Sequence, residues 1–237
     1  MAISPTGRRA GLSKQFIIGK AVSLSEQMGI DGWTMRDISK ELNVVPSVLY
    51  HYFPNKESLC SSVVEQVCAD ITLPDENLDW KAWFTAMAHA VRPVLLRYHG
   101  ITDRFARGKF TEKFLPSLDI AYRKLMEAGF GDKTALAYMI ISNSVIHTIG
   151  ARNLRSSHQI GERHDLNTMI GRFKPMMEKS PGLRAMVDTY IKPLSTPERE
   201  DELSAEYYGL IVATVLEGVE RVLLPQANPQ SSNSQTA

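Results

Sequence analysis

The sequence predicts an all-α protein with a small N-terminal helical part followed by a larger one. Apolar residues recur three or four positions apart, as Ile38 and Leu42 do, and no segment shows the clear alternation of a β-strand. Glycine and proline separate the helical segments, for example at Gly100 and at Pro181-Gly182. Hydrophobic residues make up 43% of the 237 residues and charged residues 22%, which is ordinary for a globular protein with a sizeable core.

Residues 34–59 predict two short helices around a tight turn. Thr34 and Asp37 suit a helix start, because a side-chain oxygen can accept from the free N–H groups of the first turn. Asn43 falls at the turn and tolerates a left-handed backbone better than most residues. Pro46 can begin the next helix, since its missing N–H has no partner to lose there. This pattern is typical of a helix-turn-helix, whose second helix enters the major groove of DNA.

The same segment resembles the DNA-binding module of the TetR family of bacterial transcriptional regulators. The resemblance covers residues 12–62 and rests on five short motifs. They are Trp33-Thr34, Ile38-Ser39, Asn43-Val44, Leu49-Tyr50-His51-Tyr52-Phe53 and Lys56-Glu57-Ser58-Leu59. The fold it implies is an N-terminal three-helix helix-turn-helix domain joined to a larger helical ligand-binding and dimerisation domain.

The chain departs from the family pattern at three positions. Asn43 replaces the usual turn glycine, which the backbone tolerates. Val45 and Val48 stand where the family often has Ser and Thr, and neither side chain can donate a hydrogen bond to phosphate. The DNA contacts of other family members are therefore not transferable as a set.

Eight residues are the candidate DNA contacts. Ser47 suits a base edge or a phosphate, Pro46 and Val48 suit a thymine methyl, and Tyr50 and Lys56 suit phosphates. At the start of the preceding helix, free N–H groups favour a phosphate near Thr34 and Arg36. Packing against the first helix is the alternative role for Tyr50 and Tyr52. The complete set is Thr34, Arg36, Pro46, Ser47, Val48, Tyr50, His51 and Lys56.

The positions of proline and glycine and the helical spacing of apolar residues predict the bounds of the domains. The first helix is expected from Ser13 to Met28, burying Phe16, Ile17, Ala21, Leu24 and Met28. A fourth helix is expected over about 56–71, and the Pro74-containing stretch after it is the expected boundary. The predicted parts are a disordered arm at 1–11, a DNA-binding domain at 12–72, an effector and dimerisation domain at 73–225, and a disordered tail at 226–237.

The second domain is expected to consist of long helices. Their approximate ranges are 80–98, 101–108, 111–129, 133–153, 166–178, 183–192 and 197–224, with a mobile loop at 154–165. Residues 134–151 carry no charge, and 207–224 are apolar around most of the helix. Such helices need burial on all sides, so a homodimer formed through helices 133–153 and 197–224 is predicted. The alternative is that both are central core helices of one subunit.

Charge and cysteine usage suggest a cytoplasmic protein. Residues 1–56 hold seven Lys or Arg and four Asp or Glu, a net charge of +3 within a chain of net +1, which is a modest bias compatible with DNA binding. Cys60 and Cys68 lie eight positions apart on one expected helix, roughly 12 Å, so they cannot form a bridge. Two cysteines favour a reducing compartment. Polar residues within 134–151 make it a poor membrane span, so no membrane is expected as a partner.

No catalytic motif is recognisable in the sequence. Asp119, Glu127 and the histidines are scattered without the spacing of a hydrolase, metalloprotease, phosphate-binding or dinucleotide-binding motif. His158 and His164 share the expected loop, where histidines are mostly solvated. No enzymatic activity, no cofactor and no metal site are expected.

Ligand recognition is the remaining chemistry, and the family resemblance implies an effector pocket within each subunit. Asn143 and His147 lie four residues apart on an apolar helix, which suits orientation of an organic ligand. Hydrogen bonding across the dimer interface is an equal alternative for this pair. The other candidate wall residues are Met87, His99, Phe105, Phe114, Tyr122 and Met126.

The sequence thus predicts a homodimeric transcriptional repressor that binds a palindromic double-stranded DNA operator and is released from it by a small hydrophobic or aromatic effector. The alternative is a helical small-molecule-binding protein or enzyme with a vestigial helix-turn-helix. The intact run of Tyr50, Phe53 and Lys56 argues against that alternative.

Overall fold

A computed structural model describes residues 12–155 and 164–227. Within these ranges all regular structure is helical, which confirms the predicted fold class. The N-terminal part contains four helices around one core, which includes Ile17, Trp33, Ile38, Leu49 and Leu59. The helices are α1 (Lys14–Met28), α2 (Met35–Glu41), α3 (Pro46–Tyr52) and α4 (Lys56–Cys68).

Local side-chain caps set the starts of three of these helices. The Ser13 hydroxyl accepts from Phe16 N at 3.1 Å, and Asn55 Oδ1 accepts from Ser58 N at 2.8 Å. Thr34 and Asp37 cap each other's backbone N–H groups at the start of α2. Asn43 has φ 50°, the left-handed conformation predicted for the turn. The two short helices therefore form the predicted helix-turn-helix.

Eight further helices follow the irregular segment 69–79. They are α5 (Trp80–Arg97), α6 (Ile101–Ala106), α7 (Leu115–Glu127), α8 (Thr134–Asn153), α9 (Leu166–Met177), α10 (Pro181–Met186), α11 (Lys192–Leu194) and α12 (Pro197–Leu223). The central α8 packs against α5, α6, α7 and α12. A second, smaller core joins α9 to α11 through Leu166, Val187, Ile191 and Leu194.

Several helix bounds differ from the predicted ones. α4 ends at Cys68 rather than near residue 71, and α6 ends at Ala106 rather than 108. The segment predicted as one helix over 111–129 begins with a 3-10 turn, and α7 starts at Leu115 because Pro116 lacks an N–H and suits a first turn. The expected helix 183–192 starts at Pro181 and passes through a π-helical turn at Val187–Ile191. Pro193 lies two residues after that turn, and a proline cannot donate the regular backbone hydrogen bond to the preceding turn.

Two residues predicted to be buried on α1 are instead exposed. Phe16 and Met28 are 51% and 41% exposed, whereas Ile17, Ala21 and Leu24 are buried as predicted. The helix packs mainly against α2 and α4, so a single stripe faces the core and Phe16, about 100° from Ile17, points away from it.

The two apolar helices α8 and α12 keep an apolar face exposed within this chain. The exposed side chains include Leu136, Met139, Leu210 and Val222. By length and composition, Gly131–Asn153 is the one described helical segment apolar enough to cross a membrane. In the structure α8 packs on four other helices, which accounts for part of its apolar surface.

The expected terminal disorder falls mostly outside the described residues. Residues 1–11 and 228–237 are not described, and neither are 156–163 of the expected loop 154–165. Gln226, expected in the tail, lies in a 3-10 turn, and its side chain donates to Val222 O at 2.6 Å.

Candidate functional site

The second helix of the helix-turn-helix presents a polar and aromatic surface. Pro46, Ser47, Tyr50 and His51 are exposed on α3 and Val48 is half-buried. On the opposite side Leu49 and Phe53 are buried in the core, at 0% and 4% exposure. The helix is therefore anchored by one face and leaves the other accessible to DNA.

The start of α2 lies beside this surface. The Thr34 hydroxyl donates to Asp37 Oδ2 at 2.7 Å, and the Thr34 backbone N–H donates to the same oxygen at 2.9 Å. These two hydrogen bonds hold the pKa of Asp37 below its ordinary value. Thr34 and Arg36 are both exposed.

Tyr52 and Lys56 have partners within the chain. The Tyr52 hydroxyl donates to Leu12 O at 3.0 Å, in agreement with a packing role for this tyrosine. Lys56 Nζ donates to Asp31 O at 2.9 Å and lies 4.8 Å from the centre of the Trp33 ring. Lys56 therefore also ties the start of α4 to the chain before α2, a role that sequence reasoning missed.

An apolar cavity of about 130 Å³ lies among α5, α6, α7 and α8. A second chamber of about 240 Å³ adjoins it and reaches the end of α4 near Cys68 and Ile71. The two chambers share the wall residues Met87, Val91, Leu95, Phe105, Phe114 and Ser117. The second chamber therefore lies between the first chamber and the end of α4.

Three of the eight predicted ligand residues, Met87, Phe105 and Phe114, line this cavity. The other five lie elsewhere. His99 is at the junction with the N-terminal part, where its carbonyl accepts from Ile30 N at 2.8 Å. The remaining four are Tyr122, half exposed on α7; Met126, whose Sδ accepts from Thr134 Oγ1 at 3.1 Å; and Asn143 and His147, both exposed on α8.

The polar groups at the cavity wall are few. Trp83 is buried, and its Nε1 has no hydrogen-bond partner among the described residues. Burial raises the pKa of Tyr138, so its hydroxyl stays protonated. The Ser117 and Ser142 hydroxyls donate to Phe114 O and Tyr138 O, both at 2.8 Å. Of the side chains that line the 130 Å³ chamber in the described structure, none is charged.

Sequence reasoning missed Trp83 and Tyr138. The signal available was the spacing of Trp83, Met87 and Val91, four residues apart along α5, which places them on one face. That spacing identifies a buried stripe but does not tell a cavity wall from a filled core.

An ionic cluster around the buried Arg104 joins α6 to the N-terminal part. Arg104 is 3% exposed, its Nη1 lies 3.2 Å from Asp31 Oδ1, and its Nη2 donates to Glu57 Oε1. Lys109 Nζ binds the other Glu57 oxygen at 3.1 Å. Although burial opposes it, the Lys109 hydrogen bond and the Arg104 charge hold the pKa of Glu57 below its ordinary value. Phe105, the next residue after Arg104, lines the cavity.

Neither metal nor thiol chemistry is supported by the described residues. They contain no group of three or more His, Cys, Asp or Glu that would hold a metal ion. Burial raises the pKa of Cys60 to about 11 and that of Cys68 to about 12, so both remain unreactive thiols at neutral pH.

An accessible recognition helix and an apolar cavity, linked by α4 and the Arg104 ionic cluster, define a ligand-responsive DNA-binding transcriptional regulator. Two sequence-family models match the chain. Residues 17–63 match "Bacterial regulatory proteins, tetR family", and residues 73–189 match "Tetracyclin repressor-like, C-terminal domain". The chain belongs to the TetR family of bacterial regulatory proteins.

Curated relatives agree with this assignment. The chain is 29% identical over 185 residues to the tetracycline repressor protein class A from transposon 1721 of Escherichia coli, covering 76% of this chain and 81% of that protein. It is 28% identical to the class G tetracycline repressor of Vibrio anguillarum, over 58% of this chain and 68% of that protein.

Solved structures share the fold. A TetR variant from Acinetobacter baumannii AYE in complex with minocycline matches with TM-score 0.65 and 21% identity, covering 92% of this chain and 97% of that one. A possible TetR family transcriptional regulator from Streptomyces coelicolor A3(2) matches with TM-score 0.70 and 22% identity, covering 89% and 100%.

Proposed function

We propose that this protein is a homodimeric repressor that binds a palindromic operator and is released from it by a small, uncharged, hydrophobic or aromatic effector. The observation that carries the proposal is the apolar cavity whose wall residue Phe105 adjoins Arg104, the residue that binds Asp31 and Glu57 of the N-terminal part. A ligand in the cavity therefore lies one residue away from a contact with the DNA-binding domain.

The proposed DNA contacts are the eight predicted from sequence: Thr34, Arg36, Pro46, Ser47, Val48, Tyr50, His51 and Lys56. Exposure of Ser47, Tyr50 and His51 on one side of α3 supports base or phosphate contacts from this helix. Tyr50 is half exposed, which argues against packing on α1 as its main role. Lys56 keeps two further N–H donors for a phosphate while one is bound to Asp31 O.

The proposed dimer forms through α8 and α12. Leu136, Met139 and Leu210 are each at least half exposed, and exposed apolar patches on adjacent helices are typical of an interface. Asn143 and His147 share the exposed side of α8. Their exposure supports the interface alternative for this pair over the cavity alternative.

The chemistry of the cavity narrows the proposed effector. A charged ligand would lose its hydration in the 130 Å³ chamber without gaining an ion-pair partner, because none of the described side chains that line this chamber is charged. The aromatic walls Trp83, Phe84 and Phe105 suit a flat ring system. A hydrogen-bond acceptor on the effector would satisfy the buried Trp83 Nε1.

Release from DNA requires that the effector bind more tightly to one arrangement of the subunits than to the other. In the DNA-bound arrangement the two recognition helices must be about 34–36 Å apart, one turn of DNA. We propose that the effector favours a different spacing. The protein is proposed to act in the cytoplasm, without enzymatic activity and without a cofactor.

The alternative, a small-molecule-binding protein or enzyme with a vestigial helix-turn-helix, is less well supported. Ser47, Tyr50 and His51 are exposed on α3 above an intact core, as DNA binding requires. This favours a functional module over a vestigial one. The experiment that separates the two readings is selection of binding sites from random double-stranded DNA. Enrichment of an inverted repeat supports the regulator, and failure to enrich any sequence at low salt contradicts it.

The effector is then sought by a thermal-shift screen of aromatic, lipidic and cationic compounds. Each stabilising compound is tested for release of the selected operator in a fluorescence anisotropy assay. Uncharged aromatic compounds are expected among those that release DNA. A screen in which only cationic compounds release it would contradict the proposed cavity chemistry.

A further inference from the structure

A second cleft lies on the neighbouring face of α5 and α8, away from the apolar cavity. It encloses about 40 Å³ and is bounded by α5, α8, α12 and the π-helical turn before α11. Arg92 stands on α5 and Arg152 on α8, and Ser204 and Tyr207 stand on α12. Basic and hydroxyl-bearing residues thus replace the apolar walls of the effector cavity.

Arg92 is a partly buried cation without a carboxylate partner. Within the described structure no Asp or Glu oxygen lies within 4 Å of its guanidinium; its one polar contact is a long hydrogen bond, 3.4 Å, to the Ser204 hydroxyl. The guanidinium lies 5.4 Å from the centre of the Tyr208 ring. Burial lowers the pKa of Arg92 below its ordinary value; the charge of Arg152 acts in the same direction, and Tyr208 and Asp201 oppose it.

The carboxylates near the cleft are already engaged by other arginines. Arg152 binds Glu200 at 3.2 Å and Asp201 at 3.0 Å, and Arg155 binds Glu200 at 3.0 Å. Arg152 Nε is buried with no hydrogen-bond partner in the described part of the chain. In the described structure Glu200 and Asp201 therefore pair with Arg152 and Arg155, and neither lies within ion-pair distance of Arg92.

We propose that this cleft is a second ligand site, separate from the effector cavity, that binds the oxyanion head group of a small carboxylate or phosphate compound. The planar guanidinium of Arg92 offers parallel N–H donors that match two oxygens of such an anion. The Ser204 hydroxyl accepts from Arg92 and so has its own proton free to donate to the anion.

The size of the cleft limits how much of the ligand it can enclose. A space of about 40 Å³ takes a head group only, so the body of an organic acid would extend along the rings of Tyr190 and Tyr207. Both rings are about two-fifths exposed, and their centres are 5.6 Å apart. An aromatic acid therefore has apolar surface to cover that inorganic phosphate does not use.

Binding is measured by isothermal titration of the full-length protein with sodium phosphate, sodium acetate and sodium benzoate, each compared with sodium chloride at equal ionic strength. Thermal melts in the same salts provide a second readout. Chloride corrects for general salt effects on stability. Tighter binding of benzoate than of acetate or phosphate would identify an organic acid as the ligand, and tightest binding of phosphate would identify a phosphate compound.

Arg92→Gln removes both the positive charge and the parallel N–H donors of the guanidinium. Arg92→Lys keeps the charge but loses the parallel donors. The matched control is Arg97→Gln, which removes an exposed arginine of the same helix that pairs with Glu26 at 2.9 Å. The expected result is binding at least about tenfold weaker in Arg92→Gln, an intermediate loss in Arg92→Lys, and no change in the control. Arg92→Lys answers the question if Arg92→Gln does not fold, because it retains the positive charge.

Two results would overturn the proposal. One is that none of the three anions binds the unaltered protein better than chloride does. The other is that the Arg92 variants that fold bind the preferred anion as tightly as the unaltered protein.

Discussion

Arg104 on α6 binds Glu57 on α4 across the junction between the cavity-bearing helices and the DNA-binding domain. Arg104 is almost fully buried, while the side chain of Glu57 is half exposed. The same arginine also reaches Asp31, whose carbonyl accepts from Lys56. One guanidinium therefore contacts both the chain before α2 and the first turn of α4, and its neighbour Phe105 lines the cavity.

Arg104→Gln is expected to destabilise the protein and weaken the link between cavity and DNA-binding domain. The substitution removes the buried cation and its charge-assisted hydrogen bonds to Asp31 and Glu57, at a cost of about 1–3 kcal/mol. Chemical denaturation of the variant should show that loss. The control is Arg107→Gln, which changes an exposed arginine at the end of the same helix. Equal stability of the two variants would mean that the cluster is not a significant contact.

The same cluster predicts a particular response to acid. The pKa of Glu57 is lower in the folded protein than in the unfolded chain, so its contribution to stability is present above its unfolded pKa of 4.5 and is lost as the pH falls below that value. The free energy of unfolding should therefore fall less steeply with acid in Glu57→Gln than in the unaltered protein. Parallel stability curves from pH 6 down to about pH 3.5 would contradict this.

Lys56→Ala is expected to weaken DNA binding for all sequences alike. If its free donors hold a phosphate, the slope of log affinity against log salt should become shallower by about one unit. The control, Lys174→Ala, removes an exposed lysine of α9 and should leave the slope unchanged. A change in base preference at constant salt slope would show that Lys56 acts by positioning α3 through Asp31 and Trp33.

The helix-turn-helix could be predicted in detail because its determinants are local. The Thr34–Asp37 cap, the left-handed Asn43 and the proline at the start of α3 each act within a few residues. Sequence therefore located both short helices and the exposed side of α3. Leu49 and Phe53, on the opposite side of α3, are buried in the core.

The cavity could be predicted only in part because helix rotation depends on distant contacts. α8 is apolar on nearly every side, so its sequence does not show which face turns inward. Asn143 and His147 were expected at the cavity with equal weight on the dimer interface, and α8 turns them outward while Ile141 and Tyr138 line the cavity. The π-helical turn at Val187–Ile191 was likewise not predicted; Val187 and Ile191 are buried in the smaller core.

Gly218→Leu on α12 tests the proposed dimer. A Cβ at Gly218 meets nothing within 4 Å in the subunit, so the larger side chain should fold normally and act only on a partner helix. Sedimentation is expected to show dissociation, followed by loss of operator binding because one half-site provides too few contacts. Gly182→Leu is the control, since a Cβ there also meets nothing within 4 Å and the residue lies outside α8 and α12. A Gly218→Leu dimer that binds the operator normally would locate the interface elsewhere.

The most direct test of the proposed effector site is a comparison of operator release. The unaltered protein is compared with a variant in which a larger side chain fills the cavity. Ser117 lines both chambers, and Asp119 is exposed on the same helix, so Ser117→Trp and Asp119→Trp are a matched pair. Fluorescence anisotropy of labelled operator, titrated with a compound that releases the unaltered protein, is the measurement. Ser117→Trp should bind operator with unchanged affinity yet need a much higher compound concentration for release, while Asp119→Trp responds normally. If both variants release operator DNA at the same compound concentration as the unaltered protein, this cavity is not the effector site.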